Sequence, residues 1–427
     1  MIAVLWMALV FAQDSVRATQ PLELADAYRT ARERSPRITA ARSLADAARA
    51  RTASARRPPD PQVQFGFMNY SLPALRPMDV LGMTQLQVMQ MLPLPGKLGL
   101  AGRVADASAD AQAERARDVD WEVRSKVAMA FYDLYVTDKS LSIDRETLRL
   151  LQDILRTTES MYRVGEGRQV DVLRAQVEIA RMVQDTIRMT TMRSAMSARL
   201  NAIIDLPPQS FIGTPLLPAF PDSMPGLDAE LRAAVADRPM VRAGERDLEA
   251  ATAQTKLARR EIWPDLTIGL QYGQRSGMDG TERMGSLMIG GTLPLFARSR
   301  QLRMREEAAA MQQMSRAELM AMRAETQAAV AEAYSNLTRA RNLATLYRST
   351  LLPQAEAAIT SAFAAYRVGT VDFMTLLDNR MSLNRYRKEL VELEADEGKA
   401  WADLEMLIGR ELFNPLSLAG RIASGRN

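Results

Sequence analysis

The side chains able to do chemistry in this 427-residue chain are almost all carboxylates and guanidinium groups, because it holds no histidine and no cysteine. That removes thiol nucleophiles, disulfides, the usual zinc ligand sets and imidazole bases together. Most hydrolase and transferase mechanisms lose their best residues with them. Two carboxylates stand out by spacing: Asp171 lies shortly after Tyr162-Arg163-Val164-Gly165, and Asp372 shortly after Tyr366-Arg367-Val368-Gly369. Each glycine suits a left-handed turn, and each aspartate suits the N-cap of a following helix. The 26 methionines offer a second chemistry, since thioethers bind soft Cu(I) or Ag(I). Those scattered along helical stretches, such as Met182, Met189, Met192 and Met196, read as ordinary packing. No metal site and no cofactor are expected.

The two turns belong to a longer series of matched landmarks. Ser35-Pro36 answers Arg238-Pro239, Ala55-Arg56-Arg57 answers Ala258-Arg259-Arg260, and Leu92-Pro93-Leu94 answers Leu293-Pro294-Leu295, all at an offset of about 200 residues. The chain therefore reads as a duplicated helix-strand-strand-long helix-turn-helix unit. Its repeats would occupy about 13–205 and 226–410, joined by a Pro-rich linker at 206–225 and followed by a tail at 411–427. Helices are expected over about 22–57, 98–163 and 168–205, then 227–260, 298–368 and 372–409, with Pro353 kinking the second long one.

At 1.5 Å per residue each long helix would reach roughly 100 Å, and the two shorter helices of each repeat sum to about that length. They could therefore stack end to end beside it. Leu376, Leu383, Leu390 and Leu404 fall in sevens, with Tyr386, Leu393, Ala400 and Leu407 at the second heptad position, which is a coiled-coil seam. A second seam through Leu319, Met322, Ala329, Ala333, Leu337 and Ala340 carries small residues that permit close helix approach.

Between the first two helices of each repeat the period changes to two. Leu266, Ile268, Leu270 and Tyr272 alternate with Thr267, Gly269, Gln271 and Gly273; Val63, Phe65 and Phe67 alternate with Gln62, Gln64 and Gly66. Leu86 and Val88, then Leu287, Ile289 and Leu293, continue the pattern. One face is apolar and the other small or polar, as in a barrel with lipid outside and water inside; a half-buried soluble sheet shows the same alternation. Tyr70 and Tyr272 are expected near the outer strand ends as interfacial aromatics, with loops at about 71–82 and 274–283. Four strands cannot enclose a lumen, so membrane strands would require an oligomer.

Composition agrees with long thin helices: aromatic residues are 6% and charged residues 25%. The formal charge is +4, but arginines alternate with acids along helical stretches, which marks solvated helix faces and not a nucleic-acid patch. The apolar run Ile2 to Phe11 followed by Gln13-Asp14, with Val10 and Ala12 as small residues, reads as a signal peptide over 1–12; a buried helix start is the other reading.

In combination these features resemble the TolC-type outer-membrane efflux family over nearly the whole chain. The residues that carry the resemblance are the two Tyr-Arg-Val-Gly turns with their following Asp171-Val172-Leu173 and Asp372-Phe373-Met374, and the run Pro93-Leu94-Pro95-Gly96-Lys97. That last run is more similar to the heavy-metal branch than to the multidrug branch. The resemblance implies a mainly α fold with a small membrane β-barrel contribution: a homotrimer whose α-barrel tunnel in the periplasm continues into one 12-strand barrel in outer-membrane lipid. It implies a passive exit duct, not an enzyme, that moves metal ions or drugs outward, docked to a periplasmic adaptor protein and through it to an inner-membrane pump of the resistance-nodulation-division type.

By position the resemblance assigns a periplasmic gate to Asp171, Asp372, Tyr366 and its repeat-mate Tyr162, and adaptor docking to Val164, Gly165, Val368 and Gly369. Two carboxylates per chain would give a trimer six near its axis, a ring that favours cations. The sequence departs from the family's pattern in the second turn, where only Thr370 and Val371 separate Gly369 from Asp372, so the gate arginine has no counterpart. Thr375 also stands where family members have a second aspartate. The competing readings are a periplasmic adaptor, which has a single long hairpin, and a soluble coiled-coil protein, which lacks strands.

Overall fold

The computed structural model describes residues 21–78, 82–277 and 280–413. The expected signal peptide at 1–12 and most of the tail at 411–427 lie outside the described residues. In chain order the elements are α1 (Leu24–Arg34), α2 (Pro36–Ala55), β1 (Gln62–Met68), β2 (Tyr70–Ser71), β3 (Arg76–Pro77), β4 (Met83–Leu92), α3 (Lys97–Arg163) and α4 (Gln169–Ile203). They continue with α5 (Leu227–Asp237), α6 (Pro239–Arg260), β5 (Leu266–Gly277), β6 (Gly280–Gly291), α7 (Gln301–Leu346), a π turn at Tyr347–Leu351, α8 (Leu352–Arg367) and α9 (Phe373–Ile408). Equivalent elements begin 203 or 204 residues apart: 24 and 227, 36 and 239, 97 and 301, 169 and 373.

Three expectations need correction. The helices expected over 22–57 and 227–260 are each two helices, broken at Ser35-Pro36 and Arg238-Pro239. Proline disfavours helical geometry in the residue before it, and Ser35 and Arg238 accordingly hold ψ of 120° and 123°. The interruption expected at Pro353 is present, and it takes the form of a π turn just before the proline. The proline, which has no N–H to offer, sits in the first turn of α8. The loop expected at 274–283 is mostly strand, because β5 and β6 stay paired out to Gly277 and Gly280, with Arg275 and Glu282 joined across the ladder at 2.6 Å. Tyr272 therefore lies in the middle of its strand, not at its end. At the start of the loop expected over 71–82, Tyr70 and Ser71 pair with Pro77 and Arg76.

The chain divides into two compact units. One is drawn from residues up to 40, 117–238 and from 324 onward, the other from 41–116 and 239–323. The second contains the sheet, which is antiparallel throughout in the order β1-β4-β5-β6. Strand β4 passes into α3 at Pro95-Gly96-Lys97. The Lys97 ammonium, almost fully buried, donates to Asp265 at 2.8 Å and to the Trp263 carbonyl at 2.9 Å, while Asp265 also accepts from the Leu94 amide at 3.1 Å. Gly96 has φ of +92°, a turn that other residues adopt only at a cost. In the same unit Ala250, Ala253 and Ala258 of α6 and Ala308 of α7 are buried, and Thr255 donates to the Ala308 carbonyl at 3.0 Å.

The first unit is held by four apolar clusters along its helices. Leu134 and Val127 of α3 meet Leu200 of α4 and Ala31 of α1 in one of them. Phe131 and Tyr132 of α3 pack with Ala395 and Ala402 of α9 in another. The heptad seam of α9 is buried at Leu376, Leu383, Leu393, Ala400, Leu404 and Leu407. Residues 206–225 are tied down as well: Leu22 pairs with Thr214 and Leu216 through backbone hydrogen bonds of 3.0 Å, and Phe220 packs on Tyr132 and Phe413.

Candidate functional site

Two helix-to-helix turns of the first unit carry the residues that the sequence singles out. Each is closed by its glycine in the left-handed region, Gly165 at φ +81° and Gly369 at φ +73°. This is the usual C-terminal stop of a helix, in which glycine escapes the Cβ penalty. The Gly165 amide donates to the Tyr162 carbonyl at 3.1 Å, and the Gly369 amide to the Tyr366 carbonyl at 3.0 Å. The valines before the glycines, Val164 and Val368, are about 70% exposed (68% and 73%), so both turns present an apolar side chain beside a bare glycine.

The tyrosines are not equivalent. Tyr366 is buried, donates its hydroxyl to Thr158 Oγ1 at 3.2 Å and packs edge-on against Phe373. Tyr162 is 46% exposed. Burial pushes the Tyr366 phenol up from its ordinary value, and the nearby Asp171 charge pushes the same way against the Thr158 bond.

The aspartates differ too. Asp372 is the N-cap of α9, accepting from the Thr375 amide at 3.2 Å and from the Thr375 hydroxyl. Those two bonds hold its fully exposed carboxyl below the usual carboxylate range, with Arg168 adding to the effect. Asp171 is not a cap. Arg168 occupies the cap position of α4 and Asp171 lies in the first turn, where the positive end of the helix dipole favours a carboxylate. The charge of Asp171 thus acts on Tyr366 and that of Arg168 on Asp372, each across from one turn to the other.

Sequence reasoning missed three parts of this arrangement. Thr375, noted only as a missing aspartate, provides the hydroxyl that fixes Asp372. Thr158 is fully buried and receives Tyr366. Farther along α3 and α9, Asn384 donates to Thr147 at 2.8 Å and to Asp144 at 3.3 Å, and Lys388 pairs with Asp144 at 2.5 Å. The available signal was position: Asn384 follows Leu383 directly into a buried seam.

The sheet is the second candidate surface. Its register puts Val63, Phe65, Leu86, Val88, Leu270, Leu287 and Ile289 on one face, and all are exposed in the isolated chain. The opposite face carries Gln64, Gln87 and Gln271 in one cross-strand row. No group of carboxylates suited to a metal ion occurs among the described residues. No described helix is long and apolar enough to cross a membrane.

Paired long helices, a four-stranded sheet with one greasy face and glycine-stopped tips define an outer-membrane exit duct. The chain belongs to the outer membrane efflux protein family, whose model matches residues 27–204 and 231–410. It is 25% identical over 328 residues to the pyoverdine export outer membrane protein OpmQ of Pseudomonas putida, an alignment covering 74% of this chain and 67% of that protein. It is 22% identical over 295 residues to the cobalt-zinc-cadmium resistance protein CzcC of Cupriavidus metallidurans, with 68% of each covered. Among solved structures, the outer membrane protein VceC of Vibrio cholerae superimposes with a TM-score of 0.78 at 17% identity, covering 91% of this chain and 97% of that one. CusC superimposes with a TM-score of 0.75 at 18% identity, covering 91% and 92%.

Proposed function

We propose that three copies of this chain close their sheets into one 12-strand barrel in the outer membrane, and that the helices continue it as a periplasmic tunnel through which small substrates leave passively. The observation that carries this reading is the sheet itself. Its apolar face is exposed along all four strands, with Val63, Leu270, Leu287 and Ile289 each more than 60% exposed, and the outer edges of β1 and β6 are unpaired among the described residues. Lipid tolerates strands only when their edges are paired, and four strands cannot pair their own edges around a lumen. The duct performs no catalysis, and its energy comes from elsewhere.

The tip turns are the proposed periplasmic gate. Asp171 and Asp372 would supply the carboxylate ring, Tyr366 the internal tie, and the exposed Tyr162 a contact outside its own chain. Val164, Gly165, Val368 and Gly369, apolar and accessible, are the proposed docking points for a periplasmic adaptor that joins the duct to an inner-membrane pump of the resistance-nodulation-division type. Cargo is proposed to be metal ions or small organic compounds, as the names of CzcC and OpmQ suggest for those proteins.

Ion selectivity tests the gate. Wild-type pores in a planar bilayer should prefer cations and be blocked by divalent ions, and Asp171→Asn/Asp372→Asn should lose both properties. Unchanged selectivity in the double variant removes the carboxylates from the constriction.

A further inference from the structure

We propose that Met89 and Met288 form a thioether site for a soft monovalent cation, Ag(I) or Cu(I), on the polar face of the sheet. Methionine is out of place there. The face that carries Gln64, Gln87 and Gln271 would meet water in a barrel, and the interior of such barrels is polar. Yet the cross-strand row beside those glutamines places Met89 of β4 and Met288 of β6 on either side of Gly269 of β5, each directly paired with it.

The two side chains lean toward each other over the glycine. A methyl group added at Gly269 would lie 3.3 Å from Met89 Cγ and 3.3 Å from Met288 Cε. Gly269 is consequently buried in a sheet most of whose residues are open to solvent. Its backbone is not left-handed, so glycine is needed there for space and not for conformation. The next glycine on the same face, Gly273, is likewise buried beneath the Met83 thioether and pairs with Met284. At Gly273, however, the directly paired residue of β4 is Gln85, so the flanking pair of methionines is particular to Gly269.

Soft thioethers select monovalent d10 cations over hard ions such as Mg2+ and Ca2+. A third donor is at hand, because Gln87 sits beside Met288, its amide nitrogen 4.0 Å from the sulfur, and by rotating can offer its carbonyl oxygen instead. Met304 and Met311 of α7, by contrast, are exposed about two turns apart on one helix and are not cross-strand partners. Placing the site in a lumen rests on the barrel proposed above; the pairing of the thioethers rests on strand register alone.

The test is a calorimetric titration of silver nitrate, in chloride-free buffer, into the full-length protein in detergent. Wild type should bind saturably, and Met89→Leu/Met288→Leu should bind one ion fewer per chain. Leucine conserves volume, so the sheet should persist. Gly269→Val, which retains both thioethers but fills the gap between them, should lose the same ion. Met304→Leu/Met311→Leu should bind as wild type does. Equal stoichiometry in wild type, the strand double variant and Gly269→Val overturns the site. Bilayer recordings separate this result from the barrel: a protein that makes no pores yet loses the ion in the double variant retires the lumen and keeps the site, while pores with unchanged silver stoichiometry retire the site alone.

Discussion

Tyr366 donates its hydroxyl to Thr158 Oγ1 at 3.2 Å, joining the end of α8 to α3 across 208 residues of sequence. Thr158 in turn donates to the Ile154 carbonyl at 2.9 Å, so the threonine is polarised as an acceptor for the phenol. Tyr366→Phe removes this one tie without changing the packing against Phe373. The expected cost is about 0.5–1.5 kcal/mol, read as a lower thermal midpoint, together with a larger or more frequently open conductance in bilayers. Conductance equal to wild type would make the bond purely structural.

Lys97 anchors the passage from strand to helix. Lys97→Met keeps the bulk of the stem but removes the charged partner of Asp265 and the donor to the Trp263 carbonyl. The loss should be about 1.5–3 kcal/mol, the range for a hydrogen bond to a charged group. Thermal denaturation in detergent measures it, and Asp265→Asn, which still accepts from the Leu94 amide, should cost less.

Gly398 in α9 lies against the Tyr132 ring, and an added Cβ would overlap that ring. Helix propensity alone favours alanine by about 1 kcal/mol. Here overpacking against a fully buried ring should cost about 1–3 kcal/mol and outweigh the gain. Gly398→Ala is therefore expected to lower the thermal midpoint, whereas an unchanged or raised midpoint would mean that Tyr132 can move aside.

Glu405 is buried, and burial pushes its carboxyl up despite the Arg124 guanidinium and the Leu412 and Phe413 amides that pull it down. A carboxyl raised in the folded state holds its proton to higher pH than in the unfolded chain. Its contribution to stability is thus largest at low pH and declines as pH rises above the ordinary value of 4.5. Glu405→Gln should flatten that part of the stability profile. Thermal scans from acid to neutral pH would show it as a smaller downward slope than in wild type.

Much of this architecture is legible in the sequence because it depends on period and punctuation. Heptads gave α9, alternation gave β1, β4, β5 and β6, and matched landmarks gave the repeat. The breaks at Pro36 and Pro239 were visible as landmarks, but their effect on Ser35 and Arg238 depends on local backbone geometry. The π turn at Tyr347–Leu351 has no sequence signature of comparable strength. At the tips, the two Tyr-Arg-Val-Gly motifs look alike, yet packing separates them: Tyr366 meets Thr158 and Phe373 while Tyr162 faces outward. The methionines over Gly269 belong to two different strands, and only the register of β4 and β6 on β5 brings them together.

The most direct test of the account is the single-channel behaviour and subunit count of the purified protein after reconstitution in a planar bilayer. The account predicts discrete conductance steps from a particle of three chains, with preference for cations. A water-soluble monomer that leaves the bilayer silent would contradict it.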